Sequence, residues 1–233
     1  MLPDYDALFA NQAEKYDRFV TAEDFQGNLL QTLKQYGHLN REQAVADLGT
    51  GTGRIAFLVA PIVRHVYGIE PVGGMRLVAE SKKLRLGVKN IDFLPGEHKD
   101  IPLPDHSMDL IIEGWAFLKA FNSTYPEWRS EFDAIVPEMK RILRPHAAVI
   151  LIETMGSLHI WDEVPARTVM LYDYFEKELG LNKSIIRTDY KFSSTDEAVD
   201  LGTFFFGDAI GAEIQQIGNA VVPEATAIWH GRL

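Results

Sequence analysis

A short apolar run at residues 44–48 is followed at once by three alternating glycines, Gly49, Gly51 and Gly53. Such a continuous apolar run is typical of a parallel strand that is buried on both faces. Residues 53–63 then have the spacing of an amphipathic helix. Glycine allows positive φ and close approach of a ligand, and the helix beyond it offers free N–H groups. The segment therefore predicts a strand, a ligand-binding turn and a helix.

Apolar runs and helical patterns continue to alternate along the rest of the chain. The further predicted strands are residues 65–69, 90–94, 108–112, 147–152, 184–192 and 220–230. The further predicted helices are residues 72–86, 129–143, 165–180 and 195–210. Strands joined through helices need right-handed crossovers, which place helices on both faces of a parallel sheet. We therefore expect an α/β fold with a doubly wound, mostly parallel sheet.

Ligands of such sheets bind beyond the carboxyl ends of the strands, near the switch in strand order. Residues 4–38 have a helical pattern, and we expect them to lie over this edge. The length fits a single domain, residues 1–233. Within it we expect an N-terminal helical cap at 1–40, a cofactor-binding core at 41–155, and substrate-side helices and last strands at 156–233.

The composition narrows the classes of function. With 46% hydrophobic and 24% charged residues the chain is typical of globular proteins, and its formal net charge of −10 disfavours nucleic acid as a partner. The absence of cysteine excludes disulfides and thiolate zinc sites, and we predict no metal. The N-terminus lacks the pattern of a signal peptide, and no apolar run is long enough to cross a bilayer. We expect a cytoplasmic protein with a small-molecule substrate and no membrane partner.

The glycine spacing separates classes of nucleotide-binding turn. A dinucleotide-binding turn needs a third glycine in the spacing G-x-G-x-x-G, and Arg54 stands at that place. The Gly-Lys-Ser/Thr of a phosphate-binding loop is also absent. The observed G-x-G-x-G spacing favours a ligand with an amino-acid tail over one with a pyrophosphate.

Glu70 directly follows the predicted strand 65–69. A carboxylate at this position can accept hydrogen bonds from both hydroxyls of a ribose. The alternative is a cap for the helix that begins near Val72, for which glutamate is a poor choice. Position and residue type together favour the ribose role.

The loop between the third and fourth predicted strands, residues 96–109, is polar and interrupted by proline. Here Glu97 is placed to accept from an exocyclic amine, and the backbone N–H of His98 to donate to a ring nitrogen. A metal role for His98 lacks a second ligand at a recognisable spacing. Asp100 has the character of a solvated loop acid.

These segments, with residues 141–145, resemble the S-adenosylmethionine-dependent methyltransferases of the Rossmann-like type, in particular their small-molecule subgroup. The resemblance covers roughly residues 10–155. It implies a seven-stranded sheet whose last strand is antiparallel, and S-adenosylmethionine as the cofactor. Residues 13–17 resemble an N-terminal segment that folds over the bound cofactor as a helical lid.

The resemblance also implies roles for single residues. Asp47 matches the acid that helps to place the cofactor's amino group, Glu70 the acid that binds ribose, and Pro71 the residue against the adenine face. Residues 96–98 resemble the adenine-binding motif, and residues 113–115 lie where the family passes under the methionine moiety. The implied cofactor-binding residues are Asp47, Gly49, Thr50, Gly51, Gly53, Glu70, Pro71, Glu97, His98, Glu113, Gly114, Trp115 and Tyr16.

The sequence does not single out a catalytic base, and the catalytic residues stay unknown. A base is needed only if the methyl acceptor arrives protonated, because alignment and exclusion of water supply much of the catalysis. The candidates near the site are His106, Glu113, Glu153 and His159. Each also has an explanation that involves no catalysis. His106 is expected to be exposed to solvent, the two acids to fix or cap loops, and His159 to be packed within its loop.

Aromatic side chains cluster in several segments. We predict that Trp115 and Phe117 line the substrate pocket, since they follow the fourth strand. Residues 204–206, three successive phenylalanines in a helical stretch, are expected to pack against the sheet instead.

Three hypotheses follow for the function. The first is a methyltransferase that acts on oxygen, nitrogen or carbon of a small molecule. The second is a regulatory module that keeps the cofactor pocket and transfers no methyl group. The third is a nicotinamide-dependent oxidoreductase, against which Arg54 argues. The oligomeric state is left open.

Overall fold

The computed structural model describes residues 3–158 and 164–233. Its helices are α1 (Tyr5–Asn11), α2 (Ala13–Thr21), α3 (Asn28–Gly37), α4 (Arg54–Val59), α5 (Gly73–Leu86), α6 (Phe117–Thr124), α7 (Trp128–Ile142), α8 (Ala166–Asp173), α9 (Thr195–Phe206) and α10 (Asp208–Ile217). Its strands are β1 (Ala44–Leu48), β2 (His65–Ile69), β3 (Ile91–Leu94), β4 (Met108–Gly114), β5 (Leu143–Ser157), β6 (Asn182–Arg187), β7 (Tyr190–Lys191), β8 (Val221–Val222) and β9 (Glu224–Gly231). A π-helical turn, Tyr174–Glu178, continues α8.

Seven strands form one sheet in the order β3-β2-β1-β4-β5-β9-β6. Strands β1 to β5 are parallel, whereas β9 is antiparallel to both of its neighbours, β5 and β6. The predicted doubly wound, mostly parallel sheet with an antiparallel last strand is therefore confirmed. The strand order reverses at β1 and β4, where ligands of such sheets bind.

Both faces of the sheet are covered, which explains why its central strands are continuous apolar runs. On one face, Ala46 lies in a buried cluster with Phe132 of α7. On the other face, Val45 lies in a second cluster with Leu33 of α3 and Val59 of α4. All of β1 is buried, so packing on both sides fixes the carboxyl end from which the glycine turn starts.

The N-terminal segment predicted as helical contains α1, α2 and α3. Helices α1 and α2 contact α5, and α2 also contacts α9, so these two helices lie over the carboxyl edge of the sheet. Helix α3 instead contacts β5 and β6 and packs on one face of the sheet, so the expectation that all of residues 4–38 cover the edge is wrong for α3. The rings of Phe19 on α2 and Phe205 on α9 stack with their centroids 4.4 Å apart. Helices α2 and α9 therefore pack against each other at this edge of the sheet.

The predicted strand 147–152 is too short. Strand β5 begins at Leu143, where it pairs with Met108, and continues to Ser157, where it pairs with Glu224 of β9. The helix predicted at 129–143 accordingly ends at Ile142. Pairing with a neighbouring strand, which a single segment does not reveal, sets these limits.

The helix predicted at 195–210 is two helices, α9 and α10. They are separated by Gly207, whose φ of 92° and ψ of 174° break the helical path. The strand predicted at 184–192 leaves the large sheet after Arg187, and β7 pairs with β8 in a small second sheet. The strand predicted at 220–230 is interrupted at Pro223, which has no N–H to donate to a ladder.

Two further elements differ from the prediction. The segment after β4, for which no element is predicted, forms α6 from Phe117. The helix predicted at 165–180 is α8 followed by the π-helical turn Tyr174–Glu178. In both places tertiary packing determines local structure that periodicity alone does not reveal.

The contact between α9 and α10 gives a test of the fold. A Cβ built on Gly211 would lie 1.8 Å from Thr203 Oγ1 and 2.9 Å from Thr203 Cβ. We expect Gly211→Ala to lower the free energy of unfolding by about 1–3 kcal/mol through overpacking, measured by urea denaturation. The matched control is Gly73→Ala, because a Cβ there meets only Arg76 Nη2 at 3.9 Å. An equally stable Gly211→Ala variant would contradict the packing described.

Candidate functional site

The glycine turn lies between the carboxyl ends of β1 and β4. Gly49, Gly51 and Gly53 all have positive φ, at 70°, 57° and 86°. A Cβ on Gly49 would lie 2.6 Å from Ala116 Cβ, so the close approach of the β4 loop requires glycine there. A Cβ on Gly53 would instead meet the rings of Phe57 and Phe93. The side-chain space at Gly53 is therefore filled by the protein's own rings, and its contact to a cofactor stays a prediction.

Gly51 lies on the wall of a cavity. The nearest atoms to a Cβ built on it are Met75 Cε at 3.3 Å and Tyr16 Cε1 at 3.8 Å. Both side chains line a cavity of about 240 Å³, called here the outer cavity. Most of the predicted cofactor-binding residues line it, namely Tyr16, Gly49, Gly51, Glu70, Pro71, Glu97, His98, Gly114 and Trp115. The structure thus brings together residues from five separate segments of the sequence.

A second, smaller cavity of about 60 Å³ adjoins the first and is called here the inner cavity. The predicted residues Asp47 and Thr50 line it. Residues that line both cavities are Tyr16, Gly49, Gly114 and Trp115. The two spaces therefore meet between the glycine turn and the end of β4.

Glu70 connects the end of β2 to the glycine turn. Its Oε2 accepts a hydrogen bond from Gly51 N at 3.0 Å, and its Oε1 accepts one from Val72 N at 2.8 Å. Burial raises the pKa of Glu70, and these two amides partly offset that effect. The position of Glu70 is compatible with both roles considered from the sequence. Its carboxylate supports the turn before α5, as a capping residue would, and it also lines the outer cavity, where a ribose could bind.

Asp47 is almost completely buried beneath the turn. Its Oδ2 accepts from Thr50 Oγ1 at 2.5 Å and from Ala56 N at 3.0 Å. Burial raises the pKa of Asp47 to about 7, and the nearby charge of Glu70 acts in the same direction. Asp47 thereby holds the turn and the first turn of α4 in one arrangement, and it faces the inner cavity.

Glu113 and Glu153 are also buried, but they lie behind the cavities. Oε1 of Glu113 accepts from Ala116 N at 2.8 Å and Phe117 N at 2.9 Å, and Oε1 of Glu153 accepts from Leu118 N at 2.7 Å. The two carboxylates thus cap the amino end of α6. Burial raises the pKa of both, and the charge of Glu153 raises that of Glu113 further. Their position favours the structural alternative over the role of a base.

His98 lies with its ring against the turn. Its Nε2 is 3.3 Å from the Cβ position of Gly49, is buried, and has no hydrogen-bond partner among residues 3–158 and 164–233. Burial lowers the pKa of His98 to about 4, so the ring is neutral. Glu97 beside it is exposed at the mouth of the outer cavity.

Two other predicted candidates lie elsewhere. His106 is at the opposite end of the sheet, where its Nδ1 is 2.9 Å from the carbonyl oxygen of Leu143, so its prediction as a base near the site is wrong. His159 lies outside the described residues.

Of the aromatic residues with predicted positions, some lie where expected and others do not. Trp115 lines both cavities, as expected of a pocket residue. Phe117 is buried in the core with its ring 5.2 Å from that of Phe132, so it is not a pocket residue. Phe205 was expected to pack against the sheet, but it stacks on Phe19 and lines the inner cavity.

The sequence reasoning missed an ion pair in the inner cavity. Nη1 of Arg54 is 2.5 Å from Oε2 of Glu23, and the guanidinium lies 4.3 Å from the centre of the Trp115 ring. In the sequence Arg54 only stands where a dinucleotide-binding turn has its third glycine, which does not point to an ion pair. Glu23 lies after α2 and no motif points to it, so only the fold reveals the pair.

Comparison with known proteins adds to this geometry. Residues 46–151 match the model of the "Methyltransferase domain" family. The chain contains a methyltransferase domain of the Rossmann-like type. The matched range includes β2 to β4, parts of β1 and β5, the glycine turn and the acids Asp47, Glu70 and Glu113, so the predicted family is confirmed. The matched range stops before β6 to β9.

Several curated proteins are similar to part of the chain. The "Uncharacterized methyltransferase YcgJ" of Bacillus subtilis is 29% identical over 146 residues, which are 62% of this chain and 53% of that protein. The "Malonyl-[acyl-carrier protein] O-methyltransferase" of Yersinia pestis is 29% identical over 164 residues, which are 68% of this chain and 55% of that protein. The chain therefore spans about half the length of these curated relatives.

A solved structure supports the fold over nearly the whole chain. A SAM-dependent methyltransferase from Aquifex aeolicus superposes with a TM-score of 0.53 and 19% identity, covering 97% of this chain and 93% of that one. Its coverage includes the segments before and after the matched methyltransferase domain. In the described part of this chain, every helix is too short or too polar to cross a membrane.

The buried acids give a test of the site's electrostatics. The Glu153→Gln variant keeps an acceptor for Leu118 N–H and removes the charge. Because burial raises the pKa of Glu153 above 4.5, the folded protein retains a proton that the unfolded chain releases as the pH rises. Wild-type stability should fall above about pH 4.5, each unit of pKa shift costing about 1.4 kcal/mol. The variant should exceed wild type in stability near pH 8 and approach it near pH 4.

Urea unfolding at a series of pH values measures this difference. Glu42→Gln, at an exposed position, is the control for loss of a carboxylate. Parallel stability curves for Glu153→Gln and wild type would show that burial of this acid carries no charge penalty.

Proposed function

We propose that the protein transfers a methyl group from S-adenosylmethionine to a small-molecule acceptor and releases S-adenosylhomocysteine. The outer cavity carries the proposal, because it opens at the carboxyl edge of a methyltransferase domain and Gly51 leaves free the space that a side chain would fill. When bound, S-adenosylmethionine supplies a methyl group that is activated by its positively charged sulfur.

The residues of the outer cavity suit the nucleoside end of this cofactor. Each oxygen of Glu70 already accepts one amide hydrogen bond and retains further acceptor capacity for the ribose hydroxyls. We propose Pro71 as the contact to the adenine face and Glu97 as the acceptor for its exocyclic amine. Nε2 of His98, which lacks a partner in the described structure, adds a polar atom beside Gly49.

The junction of the two cavities suits the positively charged sulfur of S-adenosylmethionine. Tyr16 and Trp115 line both spaces, and the faces of aromatic rings attract cations. We propose that the transferable methyl group lies at this junction. Phe19 and Phe205 close the inner cavity from above, so they limit the access of water to it.

The chain's own contribution to the reaction is then alignment. Asp47 and Glu70 hold the glycine turn, while Glu113 and Glu153 hold α6, which lines the outer cavity through Lys119. Alignment of reacting groups is worth about 7–11 kcal/mol in favourable cases. A dedicated base is not required for an acceptor that is already deprotonated.

Ligand binding tests the placement of the site. Titration calorimetry should show binding of S-adenosylhomocysteine in the micromolar range. Gly51→Val should weaken it at least about tenfold, because the added side chain fills the cavity beside Met75 and Tyr16.

Backbone strain needs a separate control, since Gly51 has positive φ. Gly87 has a similar φ of 66°, and a Cβ there meets nothing within 4 Å. Gly87→Val should therefore lower stability and leave affinity unchanged. A folded Gly51→Val variant with normal affinity would place the cofactor elsewhere.

Turnover separates an enzyme from a regulatory module. We expect formation of S-adenosylhomocysteine from S-adenosylmethionine with at least one acceptor from a panel of small amines, hydroxyl compounds and carboxylic acids, followed by mass spectrometry. The Gly51→Val variant should reduce the rate in proportion to its loss of cofactor binding. Cofactor binding without transfer to any acceptor would instead favour the regulatory module.

A further inference from the structure

The inner cavity contains a buried pair of opposite charges. Glu23 and Arg54 are joined through Oε2 and Nη1, and their side chains are 3% and 17% exposed. The guanidinium is also held over the face of Trp115. Both charged groups are therefore fixed in orientation before any ligand arrives.

Each partner has a polar atom that the pair does not use. Oε1 of Glu23 and Nη2 of Arg54 are buried and have no hydrogen bond of good distance and angle in the part of the chain that the structure describes, and the Tyr190 hydroxyl on the same cavity wall lies near the Glu23 carboxylate. Thr52 Oγ1, on the wall of the same cavity, is also buried and without a hydrogen-bond partner in that part of the chain. Buried polar atoms in folded proteins are nearly always paired, so these atoms point to a bound group that supplies the partners.

The chemistry of these atoms restricts that group. A guanidinium N–H binds a carboxylate well, and a carboxylate oxygen accepts from an ammonium. A lone anion bound to Arg54 would be repelled by the Glu23 carboxylate, and a lone cation bound to Glu23 would be repelled by the Arg54 guanidinium. A group with both charges on neighbouring atoms satisfies the two sites together.

We propose that Glu23 and Arg54 bind the ammonium and the carboxylate of a zwitterionic aminoacyl group. Thr52 Oγ1 is a further donor for the carboxylate. Glu23 lies outside the matched range 46–151, so the N-terminal segment contributes a binding residue in addition to covering the site.

The proposal rests on the proposed function for the source of the group. The inner cavity meets the outer cavity at Gly49, Gly114 and Trp115. The aminoacyl group is therefore either the tail of the cofactor or an amino acid that serves as methyl acceptor. Both sources present the same ammonium and carboxylate. They differ in whether these charges are attached to the nucleoside or belong to a separate amino acid.

Titration calorimetry distinguishes the sources with three probes. These are S-adenosylhomocysteine, 5′-methylthioadenosine, which lacks the aminoacyl group, and single amino acids added in the presence of 5′-methylthioadenosine. The variants are Arg54→Met and, to avoid a lone buried carboxylate, the double variant Glu23→Gln/Arg54→Met. The controls are Arg18→Met and Glu197→Gln, which break an exposed Arg–Glu pair of this chain with an N–O distance of 2.7 Å.

Loss of a charge-assisted contact should cost about tenfold or more in affinity. If the group is the cofactor tail, both variants weaken S-adenosylhomocysteine and leave 5′-methylthioadenosine unchanged. If the group belongs to the acceptor, both nucleosides bind as in wild type, and an amino acid that binds wild type loses affinity in the variants. The control variants should match wild type with every probe.

Unchanged affinity of the folded variants for every probe would overturn the proposal and leave water as the partner of these atoms. A wild-type protein that binds neither nucleoside would instead contradict the proposed function. The aminoacyl site would then be decided by amino acids added without a nucleoside, where binding to wild type and loss in the double variant supports it and no binding overturns it.

Discussion

Buried carboxylates that accept hydrogen bonds from backbone amides hold the site together. The four that do so around the cavities are Asp47, Glu70, Glu113 and Glu153. Asp47, Glu70 and Glu113 stand at or near the carboxyl ends of β1, β2 and β4 and bind the loop or helix that follows. Glu153 of β5 binds α6, which follows the neighbouring strand β4. A carboxylate with such bonds fixes a loop more firmly than apolar contact would, because its partners must lie at defined distances and angles.

This arrangement has an electrostatic consequence for the cavities. Burial raises the pKa of these acids, that of Asp47 to about 7, so protons and hydrogen bonds compete for the same oxygens. A cation that enters the cavities favours the ionised forms and thereby releases protons from the protein. The acids thus serve two purposes, since they shape the loops and also make the space between them receptive to positive charge.

The sequence predicted the parts that depend on local pattern. The run 44–48, the glycines after it and Glu70 lie close together in the sequence, and the structure gathers them at one edge of the sheet as expected. The start of α6 at Phe117 depends on packing against distant segments and has no signal in the helical periodicity. The break between α9 and α10 does have a local signal, Gly207, but the helical pattern continues on both sides of it. Glu23 and Arg54 could not be paired from the sequence, since they are 31 positions apart and only the fold brings them together.

The place of β9 in the sheet bears on how the chain folds. Strand β6 pairs only with β9 in the described sheet, and β9 itself lies between β6 and β5. During synthesis β6 therefore leaves the ribosome without a neighbour and must wait until α9, α10 and β8 have followed it. Nascent chains at that stage expose an apolar strand edge at β5, which is the kind of surface that associates wrongly or recruits chaperones. This topology therefore affects how the chain folds during synthesis as well as how stable the finished sheet is.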